Sequence, residues 1–540
     1  MLNAVVVNLK VSFPVFSDDA KLRARGSSPI LKTVTTARGP KVVPLNRLKT
    51  IELLANPPVY RTLERARRVF VNRNLRMDQI DLIGFDMDYT LALYKKDRIE
   101  ELAFRLTVEK LIKNKGYPST VAKIQYDSKF AMRGLVIDKK LGNVLKMDRH
   151  RHVGKVYHGR RPVSKDDRTQ IYRNTKIQPS AARYHLVDTL FTLPEVSLFA
   201  ELVDWKDRGE IPHDHEKIFD DIRVSIDEAH RDGSLKAVIL ANLAHYVDDD
   251  PDLAMTLHKF RSSGKRLFLM TNSYWDYTDA VMKFLLEKRM AEYPTWRAFF
   301  DIVIVGAEKP GFFTGEKAFA DITDGTTRHA KGPFEKGRVY LHGNLADFEK
   351  FSGQGGDRIL YVGDHIYGDI LRSKKSSTWR TAMVVQDLEE EIVTFQKCEE
   401  EFRTLGELET ERQRCDYELN YYQMVLKSLQ KFQEQHKNEL ADEEEAALEE
   451  AKRRARANLD RFRHRMRVAV EQSDSLDDSL DERFNPYWGL IFKEGNENSS
   501  FAEQVEDYAC IYTSRVSNFL WYSPLQYFRS PRDSMPHERP

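Results

Sequence analysis

The sequence predicts an α/β chain built on a doubly wound parallel sheet, with a second domain inserted into the sheet and a long helical extension after it. Three observations carry this. Five short apolar runs, Ile80–Asp86, Arg266–Thr271, Asp301–Gly306, Arg358–Gly363 and Arg380–Val385, read as buried strands, with helical patterns such as Tyr277–Met290 between them. Strands that alternate with helices form parallel sheets covered on both faces. About 180 residues separate the first run from the second, far more than a crossover needs. From Leu388 to Val470 proline is absent and Gly406 is the only glycine, while Glu, Arg, Gln and Lys dominate, the composition of long solvated helix.

Taken in order, residues 1–56 form a basic extension. Residues 1–50 carry only Asp18 and Asp19 as acids, the balance of an organelle transit peptide. Pro14, Pro29 and Pro40 interrupt the stretch, and it lacks an amphipathic arginine helix, which favours a plain extension. Residues 57–110 and 255–387 are expected to make the catalytic core. The insertion, 111–254, contains a hairpin-like stretch at Arg133–Val156 and helical stretches at Leu186–Trp205 and Asp214–Asp248. An insertion that leaves beside the end of the first strand is placed to act as a cap. In 388–470, Leu448, Ala451, Ala455, Leu459, Phe462, Met466 and Ala469 recur at three- and four-residue steps, a coiled-coil-like stripe. A helical hairpin is expected there, turning within 436–444, either as an oligomerisation arm or as a pair packed on its own body. Residues 471–485 read as an acidic linker. The aromatic density from Tyr487 to Phe528 reads as an element buried on the core or at an interface.

A net charge of +2 argues against a nucleic-acid partner, and no apolar run reaches the length of a membrane span. Cys398, Cys415 and Cys510 fit neither a disulfide framework nor a metal spacing, which predicts a reducing, cytoplasmic location. His150, His152 and His158 have no acid or cysteine at a usual metal spacing and are expected on an exposed hairpin.

The chemistry concentrates at strand ends, where ligands of such sheets bind. The first run ends in Asp86 and Asp88. An aspartate can attack phosphorus and split one displacement into two, and a second acid can protonate the leaving oxygen and then activate water. The second run ends in Thr271-Asn272-Ser273, whose hydroxyls and following backbone N–H groups can hold phosphate oxygens. After the third comes Lys309, in Glu308-Lys309-Pro310-Gly311, where a fixed ammonium can neutralise phosphoryl charge. The fourth ends in Asp364, with Asp369 five residues on. Asp86, Asp364 and the backbone carbonyl of Asp88 make an all-oxygen site suited to Mg²⁺, with Asp369 orienting its waters.

This order of motifs resembles the haloacid dehalogenase superfamily of phosphatases. Val69–Arg73, Gly84–Leu93, Tyr126–Ser128, Arg133–Val136, Gly142–Lys146, Thr189–Glu195, Gly233–Lys236 and Gly363–Leu371 with Ser373-Lys374-Lys375 are similar to the cytosolic purine 5′-nucleotidase family. The resemblance runs from about 57 to 387 and returns more weakly in the tail. It implies a haloacid dehalogenase-like fold, Asp86 as nucleophile and Asp88 as acid–base, with Thr271, Lys309 and Asp364 in the remaining motif positions. It implies Mg²⁺, a nucleoside 5′-monophosphate substrate, purine for preference, and a phosphoaspartate able to pass its phosphate to a nucleoside acceptor. Phe191, Arg223, Asp227, His230, Lys236, Asn272 and Ser273 become the expected substrate contacts. Thr192 stands where the purine enzymes usually carry Asn, and a hydroxyl cannot present an amide's donor–acceptor pair. At the family's nucleotide-effector site, Tyr367 and Lys375 are retained, while Gln178 and Asp188 replace a basic residue and an Asn. That predicts weak activation by purine nucleotides. A homo-oligomer is expected. The alternatives are a phosphatase for another phosphorylated metabolite and a non-catalytic interaction protein using the helical arm.

Overall fold

A computed structural model of the chain describes residues 34–36, 39–41 and 63–540, the last range apart from 176, 366–367, 370–376, 438, 533–534 and 539–540. Most of the basic extension, together with Tyr367 and the Ser373-Lys374-Lys375 segment, lies outside the described residues. The chain divides into two units, Met1–Pro57 and Pro58–Pro540. In the first, Val34–Thr36 pairs antiparallel with Gly39–Lys41.

The second unit begins with β1 (Phe70–Val71) and β2 (Leu82–Phe85). The chain then leaves the main sheet at Tyr94 for α1 (Lys96–Lys115) and the antiparallel strands β3 (Val136–Asp138), β4 (Asn143–Met147), β5 (Val153–His158), β6 (Arg161–Pro162) and β7 (Tyr184–Leu186). Helices α2 (Leu193–Asp207), α3 (His215–Arg231) and α4 (Ser234–Ala241) complete the insertion. It closes where Tyr94 bridges Val247, with Lys95 N–H donating to Tyr246 O at 2.8 Å and Asp248 N–H to Leu93 O at 2.8 Å. The boundary expected at 110 therefore falls inside α1, which buries Leu102, Ala103 and Phe104, packs on α2 and α3 and so belongs to the insertion. The single helical stretch expected over Asp214–Asp248 is divided: Gly233, at φ 81°, ends one helix and starts the next, a backbone state that only glycine adopts without strain.

After the insertion come α5 (Leu253–Ser262), β8 (Arg266–Met270), α6 (Trp275–Leu286), β9 (Ile302–Val305), β10 (Ala320–Asp321), β11 (Arg328–His329), β12 (Val339–Leu341), β13 (Ile359–Gly363) and β14 (Arg380–Val384). Helices α7 (Leu388–Lys397), α8 (Glu399–Gln435), α9 (Asp442–Phe484) and α10 (Ser500–Tyr508) and strand β15 (Ile511–Thr513) follow. The main sheet runs β11-β10-β12-β9-β8-β2-β13-β14-β15-β1. From β12 to β15 it is parallel throughout, and only its edges are antiparallel. The five runs read as strands are its five central strands. They are buried along nearly their whole length, which is why each reads as a continuous apolar run without alternation. Each fully buried Leu, Ile or Phe among them contributes ~1.5–3 kcal/mol. Neighbouring strands leave no clearance: a Cβ on Gly84 in β2 would lie 2.0 Å from the ring of Phe268, its register partner in β8.

The helical hairpin turns between Gln435 and Asp442, and Leu448, Ala455, Leu459, Phe462 and Ala469 are buried along its seam. The expected linker at 471–485 is helix: α9 continues to Phe484 and stops before Pro486. Buried Leu480, an Asp481–Lys155 pair at 2.6 Å and an Arg483–Glu401 pair at 2.7 Å dock this last stretch as helix. The aromatic tail inserts β15 between β14 and β1. It also covers the small sheet, where buried Lys146 donates to the carbonyls of Trp488, Leu490 and Lys493 at 2.6–2.7 Å.

Candidate active site

In the main sheet β8 and β13 flank β2, so successive crossovers leave β2 in opposite directions and a crevice opens beyond its carboxyl end. Asp86 is the first residue in that crevice, tied into the sheet by its N–H donating to Val362 O at 2.9 Å. Alternation on a strand does not aim the two acids, because β2 stops at Phe85. The chain instead folds back on itself, with Thr90, Leu91 and Ala92 N–H groups all donating to Met87 O at 2.9–3.3 Å. Asp86 Oδ1 accepts from Met87 N–H at 2.7 Å and faces Lys309 Nζ at 3.0 Å. The Asp88 carboxyl takes two hydroxyl donors, Tyr94 at 2.5 Å and Ser273 at 2.8 Å, which fix its direction.

Thr271 directly follows β8 and is fully buried. Its hydroxyl oxygen accepts from Ser273 N–H at 3.0 Å, which leaves its single proton to donate. Asn272 turns its amide onto the backbone of Lys309, accepting from its N–H at 2.7 Å and donating to its carbonyl at 2.9 Å. It therefore positions the lysine, where a substrate contact was expected. Lys309 Nζ donates to Tyr361 OH at 2.8 Å and Asp369 Oδ1 at 2.7 Å. Tyr361 OH in turn donates to Met270 O at 3.1 Å, so the ammonium is held from three sides.

Asp86, Asp364 and Asp369 are all buried and bring carboxylate oxygens within 4.8 Å of one another. Burial pushes the Asp86 carboxyl well up, Lys309 opposes this, and Asp369, Asp364 and Asp88 add to it. Burial, with Asp369 beside it, raises Asp364 to about 7. Burial works against the charge on Lys309, but Asp369 and Asp86 more than reverse it and hold the ammonium well above the usual lysine range. One ammonium among three carboxylates leaves excess negative charge in a dry crevice. The donors are hard oxygens, so the set fits a small divalent cation. Asp369 is engaged by Lys309 and, at 3.3 Å, by His365 N–H, and the Asp88 side chain is turned to Tyr94 and Ser273.

The insertion supplies the other wall. Lys236 Nζ donates to Ser273 Oγ at 3.4 Å and lies 5.0 Å from the centre of the Tyr277 ring, whose hydroxyl is 2.9 Å from that of Tyr94. Phe191 stands edge-on between Tyr89, at 4.7 Å, and His230, at 5.4 Å. Burial, and Lys236 after it, lower His230 to about 4, so its imidazole is neutral. Arg223 pairs with buried Glu195 at 2.6 Å and with Asp227 at 3.5 Å. Burial lifts Glu195 to about 7 against the pull of Arg223. The Thr192 hydroxyl is spent on Thr189 O at 2.8 Å. Asp188 faces His365 at 3.1 Å; burial alone would discharge this histidine, but Asp188 raises it to about 9. The carboxylate expected to repel an effector phosphate is thus neutralised within the protein.

A family model described as the 5′ nucleotidase family matches residues 69–540. The chain belongs to the 5′ nucleotidase family. Membership places it among phosphoric monoester hydrolases. A 5′-nucleotidase domain-containing protein of Dictyostelium discoideum is 29% identical over 480 residues, 87% of this chain and 74% of that one. The 5′-nucleotidase domain-containing protein 2 of Rattus norvegicus is 31% identical over 351 residues, 62% of each chain, so this chain spans less than two thirds of that relative's length. A solved structure of a predicted phosphoglycolate phosphatase from Haemophilus somnus 129pt aligns with 57% of this chain and 86% of its own, at 15% identity and a TM-score of 0.25.

Two groups that bear on this family site escaped the sequence. Arg133, fully buried, donates to Asp364 O at 3.3 Å and to Asp387 at 2.9 Å, fixing the end of β13. Tyr361 carries the Lys309 contact described above. A lone Arg before a glycine and a Tyr inside an apolar strand are ordinary sequence features; only the fold places their polar ends.

Proposed function

We propose that this member of the family hydrolyses nucleoside 5′-monophosphates, purine ones for preference, with Mg²⁺ as cofactor and a phosphoaspartate on Asp86. The observation that carries the reading is the buried Lys309–Asp86–Asp364–Asp369 cluster at the switch point, with Asp88 held beside it by two hydroxyls. An oxygen of Asp86 attacks phosphorus and the ester P–O bond breaks. Asp88 gives its proton to the leaving nucleoside oxygen; water then attacks phosphorus of the acyl phosphate while Asp88 takes that water's proton, and the bond from Asp86 oxygen to phosphorus breaks to release phosphate and the free carboxylate. Lys309 and the Thr271 hydroxyl stabilise the charge on the phosphoryl oxygens. Asp86, Asp364 and the Asp88 carbonyl would hold Mg²⁺, with Asp369 behind them; the ion supplies further charge neutralisation to the same oxygens. A nucleoside that takes the place of the water receives the phosphate. Neutral His230, Phe191, Lys236 and the Arg223–Asp227–Glu195 group line the side from which the nucleoside enters. A cytoplasmic location accords with three free buried cysteines, and no described helix is long and apolar enough to cross a membrane.

Phosphate release from a panel of nucleotides and sugar phosphates with Mg²⁺ tests the reading, with a purine nucleoside monophosphate expected to be the best substrate. The engaged Thr192 hydroxyl favours the second reading, a phosphatase for another metabolite. A sugar phosphate turned over faster than every nucleotide would establish it, and no release from any ester would end both.

We propose further that the chain forms a homodimer through α8. Tyr417, Tyr421, Met424 and Phe432 form an exposed stripe there, with Asp416 and Glu418 toward one end and Lys427 and Lys431 toward the other. An antiparallel two-fold axis at Met424 lays the acidic end of one copy over the basic end of a second, the self-complementary pattern of an isologous contact. Light scattering should give a dimer mass for the full chain and a monomer mass for Met424→Glu, with activity retained; equal masses overturn the proposal.

A further inference from the structure

His158 does not lie alone on a hairpin: the structure brings it to Asp207 and His215, three residues with no sequence spacing to connect them. His158 ends β5, Asp207 ends α2 and His215 opens α3. Their ligand atoms all lie within 4.8 Å of one another. His158 Nε2 is 2.9 Å from Asp207 Oδ2, and His215 Nε2 is 3.9 Å from Asp207 Oδ1. His150 and His152 stay exposed and take no part.

As found, His158 Nε2 donates to the Asp207 carboxylate at 2.9 Å, a proton that a cation would displace, while the surroundings hold the other nitrogen of each imidazole. Tyr172 OH gives its one proton to the Asp138 carboxylate at 3.0 Å, so it can only accept from Asn143 Nδ2, at 2.8 Å. That turns Asn143 Oδ1 toward His158 Nδ1 at 2.8 Å and keeps the proton on Nδ1. His215 Nδ1 faces Lys140 O at 3.5 Å and is set the same way. The His215 Nε2 atom is buried without a hydrogen-bond partner. Metal-bound histidines carry this same support, the far N–H donated to a carbonyl so that the near nitrogen offers a lone pair.

We propose that His158 Nε2, His215 Nε2 and an oxygen of Asp207 form a three-ligand site for a divalent transition ion of the zinc class, separate from the carboxylate crevice. Two imidazoles and one carboxylate are borderline ligands that suit zinc better than Mg²⁺. Ligands ~2 Å from a tetrahedral ion stand ~3.3 Å apart, within small side-chain adjustments of the distances found. Arg161 and Lys206 share Asp207 at 2.5 and 3.8 Å. Arg161 also reaches Asp204 at 3.3 Å and is largely exposed, so it can yield one partner and keep the other. An ion here would tie the β5–β6 hairpin to the α2–α3 connection.

The test is Co²⁺ titration of the full chain in excess Mg²⁺, followed by the visible ligand-field bands of low-coordinate Co²⁺ and their removal by Zn²⁺. One equivalent is expected in wild type and in Asp364→Asn, which lacks a carboxylate of the crevice. His215→Gln and His158→Gln are expected to lose the bands while retaining phosphatase activity, which shows that they fold. Asn143→Ala, which keeps all three ligands but removes the support of His158 together with the donor to Tyr172, is expected to weaken binding ~10–100-fold. Wild type without bands, or bands unchanged in both histidine variants, overturns the proposal.

Discussion

Asp86→Asn is expected to lower kcat for phosphate release by ~10³-fold or more, because the attacking oxygen is lost and no acyl phosphate can form. The change is nearly isosteric. The Asn oxygen can still accept from Met87 N–H, the contact made at 2.7 Å by the carboxylate, so the turn after β2 has no reason to rearrange. One of three carboxylates within 4.8 Å of one another loses its charge, which relieves like-charge repulsion in a dry site. Without Mg²⁺ the variant should therefore unfold at a temperature equal to or above that of wild type. Steady-state kinetics and a thermal scan in chelator check the two halves together. Activity lost along with stability would mean a damaged fold, and activity retained would remove Asp86 from the reaction.

The central strands were legible because burial on both faces makes each a continuous apolar run, and because a carboxylate, hydroxyl or lysine follows several of their ends. Three-residue strands such as Val339–Leu341 and Ile511–Thr513 were not: their sheet positions come from neighbours far away in sequence, and local pattern carries no trace of that. The helix through 471–484 was hidden for a related reason. Its charged residues look solvated until the fold brings Lys155 beside Asp481 and Glu401 beside Arg483. At the site, the residue types at strand ends were readable, and their side chains do converge. What each side chain touches was not readable. Asn272 binds the Lys309 backbone, Thr192 binds Thr189, and Asp188 is neutralised by His365, three contacts made by residues whose sequence motifs are compatible with other partners. The His158–Asp207–His215 group was illegible altogether, since its members come from three separate elements.

Lys309→Met is the second large effect. Among the described residues, the ammonium is the positive group in direct contact with both Asp86, at 3.0 Å, and Asp369, at 2.7 Å, and its side chain is 3% exposed. Removing it takes away the charge that faces the phosphoryl oxygens, with an expected loss of ~10²–10³ in kcat. It also leaves buried carboxylates without their partner, at a cost of ~3–5 kcal/mol when a buried pair is broken on one side only. The loop itself should hold, because Asn272 clamps the backbone of residue 309 and makes no use of its side chain. The variant is therefore expected to fold, to melt below wild type in chelator, and to gain more stability from Mg²⁺ than wild type does, since a divalent cation then meets the carboxylates without competition from an ammonium. A melting temperature that falls equally with and without Mg²⁺ would mean that the lysine and the cation do not share these carboxylates. Wild-type kcat in the variant would remove Lys309 from the chemistry and leave it as a buried counter-ion.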